Sequence, residues 1–294
     1  MAYTDYLDSK KLVLTVATTG GIHGKETNPN IPEQPEEIAA DVRACEQLGA
    51  AIVHVHGRDE HGENDASRLQ AVNDAIRDRC EDIIIQNTTG GQSPLEERIA
   101  GIRTDPPPEM ASLDMGPFNR DRHIITEHTR HNIDALARTM REKGIKPELE
   151  VFNSGQLNET YRLIEEGLVE PPYYINLIFG GDSFTLPRPE NVLNLVNNLP
   201  KNSEFNVLAT GRHQVPLTTL SILLGGHIRV GLEDNLYYTA GRPARSNAEL
   251  VERTVAVADR LGRDIATPAE ARSILGINGR GGEFESMNHE NPRA

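Results

Sequence analysis

The sequence predicts an α/β protein of the (β/α)8 TIM barrel type, and three observations carry that expectation. Eight short β-rich apolar runs alternate with helix-like stretches almost from end to end. No Ser/Gly linker or low-complexity segment divides the series. Polar residues of chemically useful types also gather where the apolar runs end, which is where such barrels build their active sites. At 294 residues the chain exceeds the roughly 250 of a typical barrel. It is read as a single barrel domain over 1–294 with short N-terminal and C-terminal extensions.

The first strand is expected at Leu12–Thr18, followed by the turn Thr18-Thr19-Gly20-Gly21. That turn has the wrong glycine spacing for a dinucleotide-binding fingerprint, and no helix follows it directly. A helix over Glu36–Leu48 is opened by Pro35 with two acids, as the helix dipole favours, and closed at Gly49. The pattern then repeats: strand Ala51–His56 and helix Arg68–Arg79, strand Asp82–Asn87 and helix Leu95–Ile102. The run Pro106-Pro107-Pro108 makes a rigid entry to strand Met110–Met115, before helix Thr126–Lys143 and its stop at Gly144. Strand Glu148–Asn153 precedes helix Gln156–Glu166, and strand Tyr173–Phe179 precedes helix Glu190–Asn198. The series closes with strand Phe205–Ala209, helix Leu217–Leu224, strand His227–Leu232 and helix Asn247–Leu261. Each helix carries apolar residues at three- and four-residue spacing. Parallel strands alternating with helices close most naturally into a barrel.

His54 and His56 are the most informative pair. On a strand, positions i and i+2 face the same way, so both imidazoles project together where the strand meets a loop. That places two nitrogen ligands for one divalent metal. The eighth strand ends in Glu233-Asp234, and in a closed barrel it lies two positions from the second. Glu233 therefore comes within reach of a metal shared with the histidines. A buried histidine pair satisfied by backbone or Asp, and a solvated acidic loop, are the competing accounts. Neither explains why both pairs fall at one catalytic rim. Glu148 and Glu150 share a strand face, and a buried carboxylate needs a cation, for which Arg229 is the candidate. Thr88, Thr89, Ser112 and Asp114 also lie at strand ends. His61, His123, His128 and His131 read as surface residues, while His213 and His227 stay undecided.

Composition narrows the partners. The net charge of −14 and pI of 5.2 argue against nucleic acid, whose phosphates need a basic face. Cys45 and Cys80 show no metal-binding or disulfide spacing. The N-terminal stretch has no apolar leader region and no run approaches a membrane span, so a cytoplasmic protein with no membrane partner is expected.

Taken together, certain motifs resemble a known family. They are His54-Val-His56, the turn Thr88-Thr89-Gly90-Gly91, Glu109 to Gly116, Pro147 to Phe152, Thr210-Gly-Arg212 and Gly225 to Asn235. This combination is similar to the β-keto acid cleavage enzymes, typified by the 3-keto-5-aminohexanoate cleavage enzyme, from about Leu12 to Ile277. The resemblance implies a zinc-containing (β/α)8 barrel, usually a homotetramer, that moves the acyl part of a 3-keto acid onto coenzyme A from acetyl-CoA and releases acetoacetate. It implies zinc ligands His54, His56 and Glu233, and Asp234 as general base tuned by Arg229 and Glu150. Thr88 and Ser112 match positions that grip the substrate carboxylate, with Thr89, Gly90 and Asp114 beside them. Arg58 matches an arginine after the histidine pair.

The chemistry fits these residues independently. A metal held by two imidazoles and one carboxylate keeps open positions for a keto acid and acts as a Lewis acid toward the enolate. Asp234 adjoins Glu233 in sequence and so can sit near the C2 proton, with Arg229 expected to lower its pKa. One departure concerns substrate: the typical enzyme has a Glu that meets an amino group where this chain has Ile22, so an uncharged distal group is expected, with an anionic one, as in a keto diacid, the weaker alternative offered by His23 and Lys25. The loop Phe179 to Thr185, with Asp182, also departs from the family's usual form. Two alternatives remain, a metal-dependent hydrolase of the amidohydrolase type and a non-catalytic metal-stabilised barrel. The first would need more histidines on later strands, and the second a fourth protein ligand.

Overall fold

The computed structural model describes residues 10–91, 94–121, 123–181 and 183–277. The leader reading of residues 1–9 and the reading of Asp182 lie outside them. Eight parallel strands close a barrel: β1 (Leu14–Ala17), β2 (Ile52–Val55), β3 (Ile84–Asn87), β4 (Met110–Asp114), β5 (Lys146–Val151), β6 (Tyr173–Phe179), β7 (Ser203–Ala209) and β8 (His227–Val230). Each pairs with its neighbours in sequence, and β8 closes onto β1 through Leu14↔Ile228 and Val16↔Val230. The outer helices are α1 (Pro35–Gln47), α2 (Leu69–Arg79), α3 (Leu95–Gly101), α4 (Arg130–Glu142), α5 (Leu157–Glu165), α6 (Pro189–Asn197), α7 (Gln214–Leu223) and α8 (Asn247–Arg260). No helix among the described residues is long and apolar enough to cross a membrane.

The period of two sorts every strand into two environments. Leu14, Val16, Val53, Val55, Ile85, Ile228 and Val230 face outward and pack under α1, α2 and α8. On the alternate positions, Val13, Ile52, Ile84, Met110 and Tyr174 form an apolar floor. One pleat higher come Thr15, His54, Gln86, Ser112, Glu148, Asn176, Asn206 and Arg229, all buried polar residues. The barrel therefore carries its polar chemistry in a layer resting on an apolar base.

A ninth helix, α9 (Pro268–Leu275), packs Ala271 and Leu275 against that floor. It is opened by a capping box between Thr267 and Glu270 and stopped at Gly276. The sequence reading took this segment for a plain extension, because eight residues carry little periodicity. Thr126, expected to begin the fourth helix, instead ends a two-stranded ribbon made by Phe118–Asp121 and Ile124–Thr126. Helix α4 starts after Thr129, whose hydroxyl accepts from the Asn132 N–H. A second small ribbon pairs Tyr237–Thr239 with Arg242–Pro243 beyond β8.

Candidate active site

A cavity of about 440 Å³ opens at the C-terminal ends of the strands. His54 and His56 enter it from β2. Glu233 arrives from the loop after β8, and the backbone there allows no ordinary side chain. Gly231 has φ +152, and a Cβ on it would stand 1.9 Å from the Ala17 carbonyl oxygen. Glycine lets the chain graze β1 and so delivers Glu233 beside the histidines. His54 Nε2 lies 3.7 Å and His56 Nε2 3.5 Å from the Glu233 carboxylate. The three donor atoms lie within 4.8 Å of one another.

Their surroundings fit a divalent cation. His54 Nδ1 is 2.7 Å from Gln86 Oε1, and His56 Nδ1 is 3.0 Å from Asn64 Oδ1. A carboxamide oxygen only accepts, so each ring carries its proton on Nδ1 and turns the Nε2 lone pair toward Glu233. This is the outer support metal-bound histidines usually have. Burial, with the Arg229 charge nearby, pushes the His54 pKa down to about 3, so the ring is neutral. Glu233 Oε2 is buried without a hydrogen-bond donor among the described residues. Burial alone would raise Glu233, but Arg229 outweighs it and holds the carboxyl well below the usual range. Two imidazole nitrogens and an anionic oxygen suit zinc.

Arg229, 2% exposed, is the electrostatic centre. Its guanidinium donates to Glu233 at 2.7 Å, to both Asp234 oxygens at 3.1 Å, and to Glu150 at 3.3 Å. Asp234 differs from expectation: burial outweighs Arg229 and raises its pKa to about 6. A carboxylate in that range is a better base near neutrality than a strongly ion-paired one. Burial first, then Asp114, push Glu150 well above the ordinary carboxyl range. Glu148, wholly buried below, rests on Asn206 at 2.6 Å and Asn176 at 3.5 Å.

The cavity is lined by His54, His56, Thr88, Gly90, Asp114, Glu150, Arg229, Glu233, Asp234 and Ile22, all anticipated from sequence. Thr89, Ser112 and Arg58 were expected at the substrate but do not line it. Thr89 N donates to the Ser112 hydroxyl, and Thr89 Oγ1 to the Ser112 carbonyl. The two thus brace the turn beneath Gly90. Arg58 donates to Thr19 Oγ1 and to the carbonyls of Gly20, His23 and Gly62, so it clamps the loops rather than facing the cavity. Ile22 is 54% exposed and stands at the rim, not in a dry pocket. His128, read as a surface residue, is 1% exposed and lies 2.7 Å from Asp114. His227 is buried at the barrel base, where its Nδ1 accepts from the Val13 N–H.

Sequence reasoning missed Gln86 and Asn64, which no motif marks. It also missed an apolar wall across from the histidines, made by Phe118, Phe152, Ile178, Leu208 and Phe184. Phe152, Ile178 and Leu208 continue the inward rows of β5, β6 and β7, so alternation alone could have found them. The three phenyl rings have centroids 4.1 to 5.3 Å apart.

The model of the β-keto acid cleavage enzyme family matches residues 11–277. The 3-keto-5-aminohexanoate cleavage enzyme of Acetoanaerobium sticklandii is 39% identical over 273 residues, covering 92% of this chain and 99% of that one. A 3,5-dioxohexanoate:acetyl-CoA acetone transferase of Paraburkholderia graminis is 30% identical over 302 residues, covering 92% and 97%. Among solved structures, apo ObcA shares the fold with a TM-score of 0.77 at 21% identity. The match covers 85% of this chain but only 66% of that one.

Proposed function

This chain belongs to the β-keto acid cleavage enzyme family, and from that premise we propose that it condenses a 3-keto acid bearing an uncharged distal group with acetyl-CoA, giving acetoacetate and a new acyl-CoA. The observation that carries this reading is the joint placement of two groups on Arg229. A three-residue ligand set and a carboxylate of pKa about 6 face one cavity from adjacent positions, Glu233 and Asp234.

A zinc ion held by His54, His56 and Glu233 would supply Lewis acidity toward the oxygens of the bound keto acid. Asp234 takes the C2 proton. C2 then bonds to the acetyl carbon and the CoA thiolate leaves. The thiolate attacks the original keto carbon, the C2–C3 bond breaks, and the acetoacetate carbanion recovers its proton from Asp234. Arg229 keeps Glu233 and Asp234 in place through these transfers, and Glu150 bounds their far side. Thr88 and Gly90 at the β3 end offer a hydroxyl and a backbone turn to the substrate carboxylate.

The uncharged distal group now rests on the whole lining rather than on Ile22. The described carboxylates of the cavity already have partners: Glu233, Asp234 and Glu150 on Arg229, Asp114 on His128. An ammonium group would meet the phenyl and aliphatic wall, and leaving it unpaired there costs several kcal/mol. The relatives' names include both an amino-bearing and a dioxo substrate, so the distal group varies within the family. Turnover of a neutral, an amino-bearing and a dicarboxylic 3-keto acid with acetyl-CoA tests the proposal. The neutral acid should have the highest kcat/KM. A tenfold preference for the amino-bearing acid, about 1.4 kcal/mol, would defeat the substrate assignment. No acetoacetate from any of them would defeat the reaction itself.

A further inference from the structure

Charge is spread unevenly around the cavity mouth. Between Phe205 and Ala248 the only acidic residues are Glu233 and Asp234, both held by Arg229, although the whole chain has 44. The same stretch brings Arg212, Arg242 and Arg245 to the segments that follow β7 and β8. Arg242 and Arg245 share one carboxylate, Glu249, at 3.1 and 2.9 Å, so the pair keeps a surplus positive charge. Arg212, in the turn Gly211–His213, is exposed, and its side chain has no ion pair or hydrogen bond among the described residues. The loops after β1 and β2 have the opposite character, with Glu26, Glu33, Asp59, Glu60, Glu63 and Asp65 against Lys25 and Arg58.

Tyr237 stands at the same corner, lining the cavity while 50% exposed. Its backbone is held on both sides by one carboxamide. Asn235 Nδ2 donates to the Tyr237 carbonyl at 2.8 Å, and the Tyr237 N–H donates to Asn235 Oδ1 at 3.0 Å. Asn28 braces the base of the ribbon from the β1 side, donating to the Leu236 carbonyl at 3.2 Å and the Ala244 carbonyl at 3.0 Å. From α8, Arg253 stacks on the neighbouring Tyr238 ring, 4.6 Å from its centroid, and donates to its carbonyl. The turn that carries Arg212 lies against this ribbon, and the Gly211 N–H donates to the Asp234 carbonyl at 2.9 Å. A fixed aromatic ring and a guanidinium without a partner among the described residues thus flank the opening beside Asp234.

We propose that this corner, with Arg212 and Tyr237 as its contacts, is the subsite for the phosphate-bearing nucleotide of acetyl-CoA. The choice of ligand rests on the reaction proposed above. The planar fork of an arginine matches phosphate oxygens, and the Tyr237 ring offers a face on which adenine stacks. A chain of net charge −14 repels a polyanionic cosubstrate over much of its surface and admits it best at a rim where cations outnumber acids. The thioester end then reaches Asp234 past Gly211 and Leu236, which line the cavity there. The keto acid keeps the opposite side, against the apolar wall.

Titration calorimetry of the full chain without keto acid tests this, comparing acetyl-CoA with S-acetylpantetheine, which lacks the nucleotide and its phosphates. Arg212→Ala and Tyr237→Ala should each weaken acetyl-CoA binding about tenfold, and the ratio of affinities for the two thioesters should fall by the same factor. Tyr237→Phe, which keeps the ring face, should bind like the parent. Arg212→Ala should also flatten the salt dependence of acetyl-CoA binding. Arg188→Ala removes an exposed cation beyond β6 and serves as the control, with no change expected. An unchanged ratio in both alanine variants, or a loss confined to Arg188→Ala, would overturn the subsite and, if acetoacetate still forms, leave the proposed reaction standing. Equal weakening of both thioesters would mean that the substitutions disturb local structure rather than a nucleotide contact, and would also overturn it. No binding of acetyl-CoA by the parent chain would defeat the subsite and the reaction together.

Discussion

His54 Nδ1 sits 2.7 Å from the carboxamide oxygen of Gln86, its register partner on β3. The contact fixes the ring's tautomer and turns Nε2 toward Glu233. Replacing Gln86 with Leu leaves Nδ1–H buried without an acceptor. Metal affinity should fall about 10- to 100-fold, the range usual for losing such a support. Competition with a chelating dye measures it, and an affinity within twofold of the parent would contradict the role given to Gln86.

Ligands and base should separate experimentally. His54→Ala, His56→Ala and Glu233→Gln each remove a donor and should lower bound zinc together with turnover. Full occupancy in all three would show that the ligand set is elsewhere. Asp234→Asn should keep the metal and the fold while kcat falls about 10²- to 10⁴-fold, as for loss of a general base. Metal content by mass spectrometry, read beside kcat, distinguishes the two classes.

A buried acid away from the chemistry sets a pH effect on stability. Asp41 of α1 accepts from Asn247, which also receives the Leu232 N–H and donates to the Thr18 carbonyl. Burial raises the Asp41 pKa to about 6. The folded state therefore holds this proton more tightly than the unfolded chain. Its contribution is most favourable below about pH 4, declines as pH rises to about 6, and is level above. Asp41→Asn keeps an acceptor for Asn247 and removes the charge. It should gain roughly 1–3 kcal/mol at pH 8 and almost nothing at pH 4. Urea melts at the two pH values check this, and an equal effect at both would refute it.

The barrel was legible because two periods alternate along the chain, and period two also predicted which strand residues face inward. His54 and His56 declared themselves by that rule. Glu233 followed from closure of β8 onto β1, which sequence order implies once eight units are counted. The remainder depended on tertiary packing. Gln86 and Asn64 are single carboxamides with no pattern around them. His128 sits in a polar stretch, and only the approach of Arg98 and Asp114 from other elements buries it. That Ile22 stands exposed at the rim depends on the backbone path of a long loop, which composition does not reveal. The apolar wall draws on the ends of three barrel strands, the ribbon strand that begins at Phe118 and the loop that carries Phe184, so no local window contains it.

Phe184 gives the sharpest test of that wall. It is the half-buried member, edge-on to Phe118 with ring centroids 5.3 Å apart and 4.8 Å from Phe152. Full burial of a phenyl group is worth about 1.5–3 kcal/mol, so partial contact with a substrate chain corresponds to roughly the lower figure, or about tenfold. Phe184→Ala should therefore lower kcat/KM about tenfold for a 3-keto acid with a long or branched alkyl group. For the shortest homologue, which does not reach across the cavity, it should change little. The KM for acetyl-CoA provides the control. If that constant rises while chain-length preference stays the same, the wall holds the thioester arm and the distal group lies elsewhere.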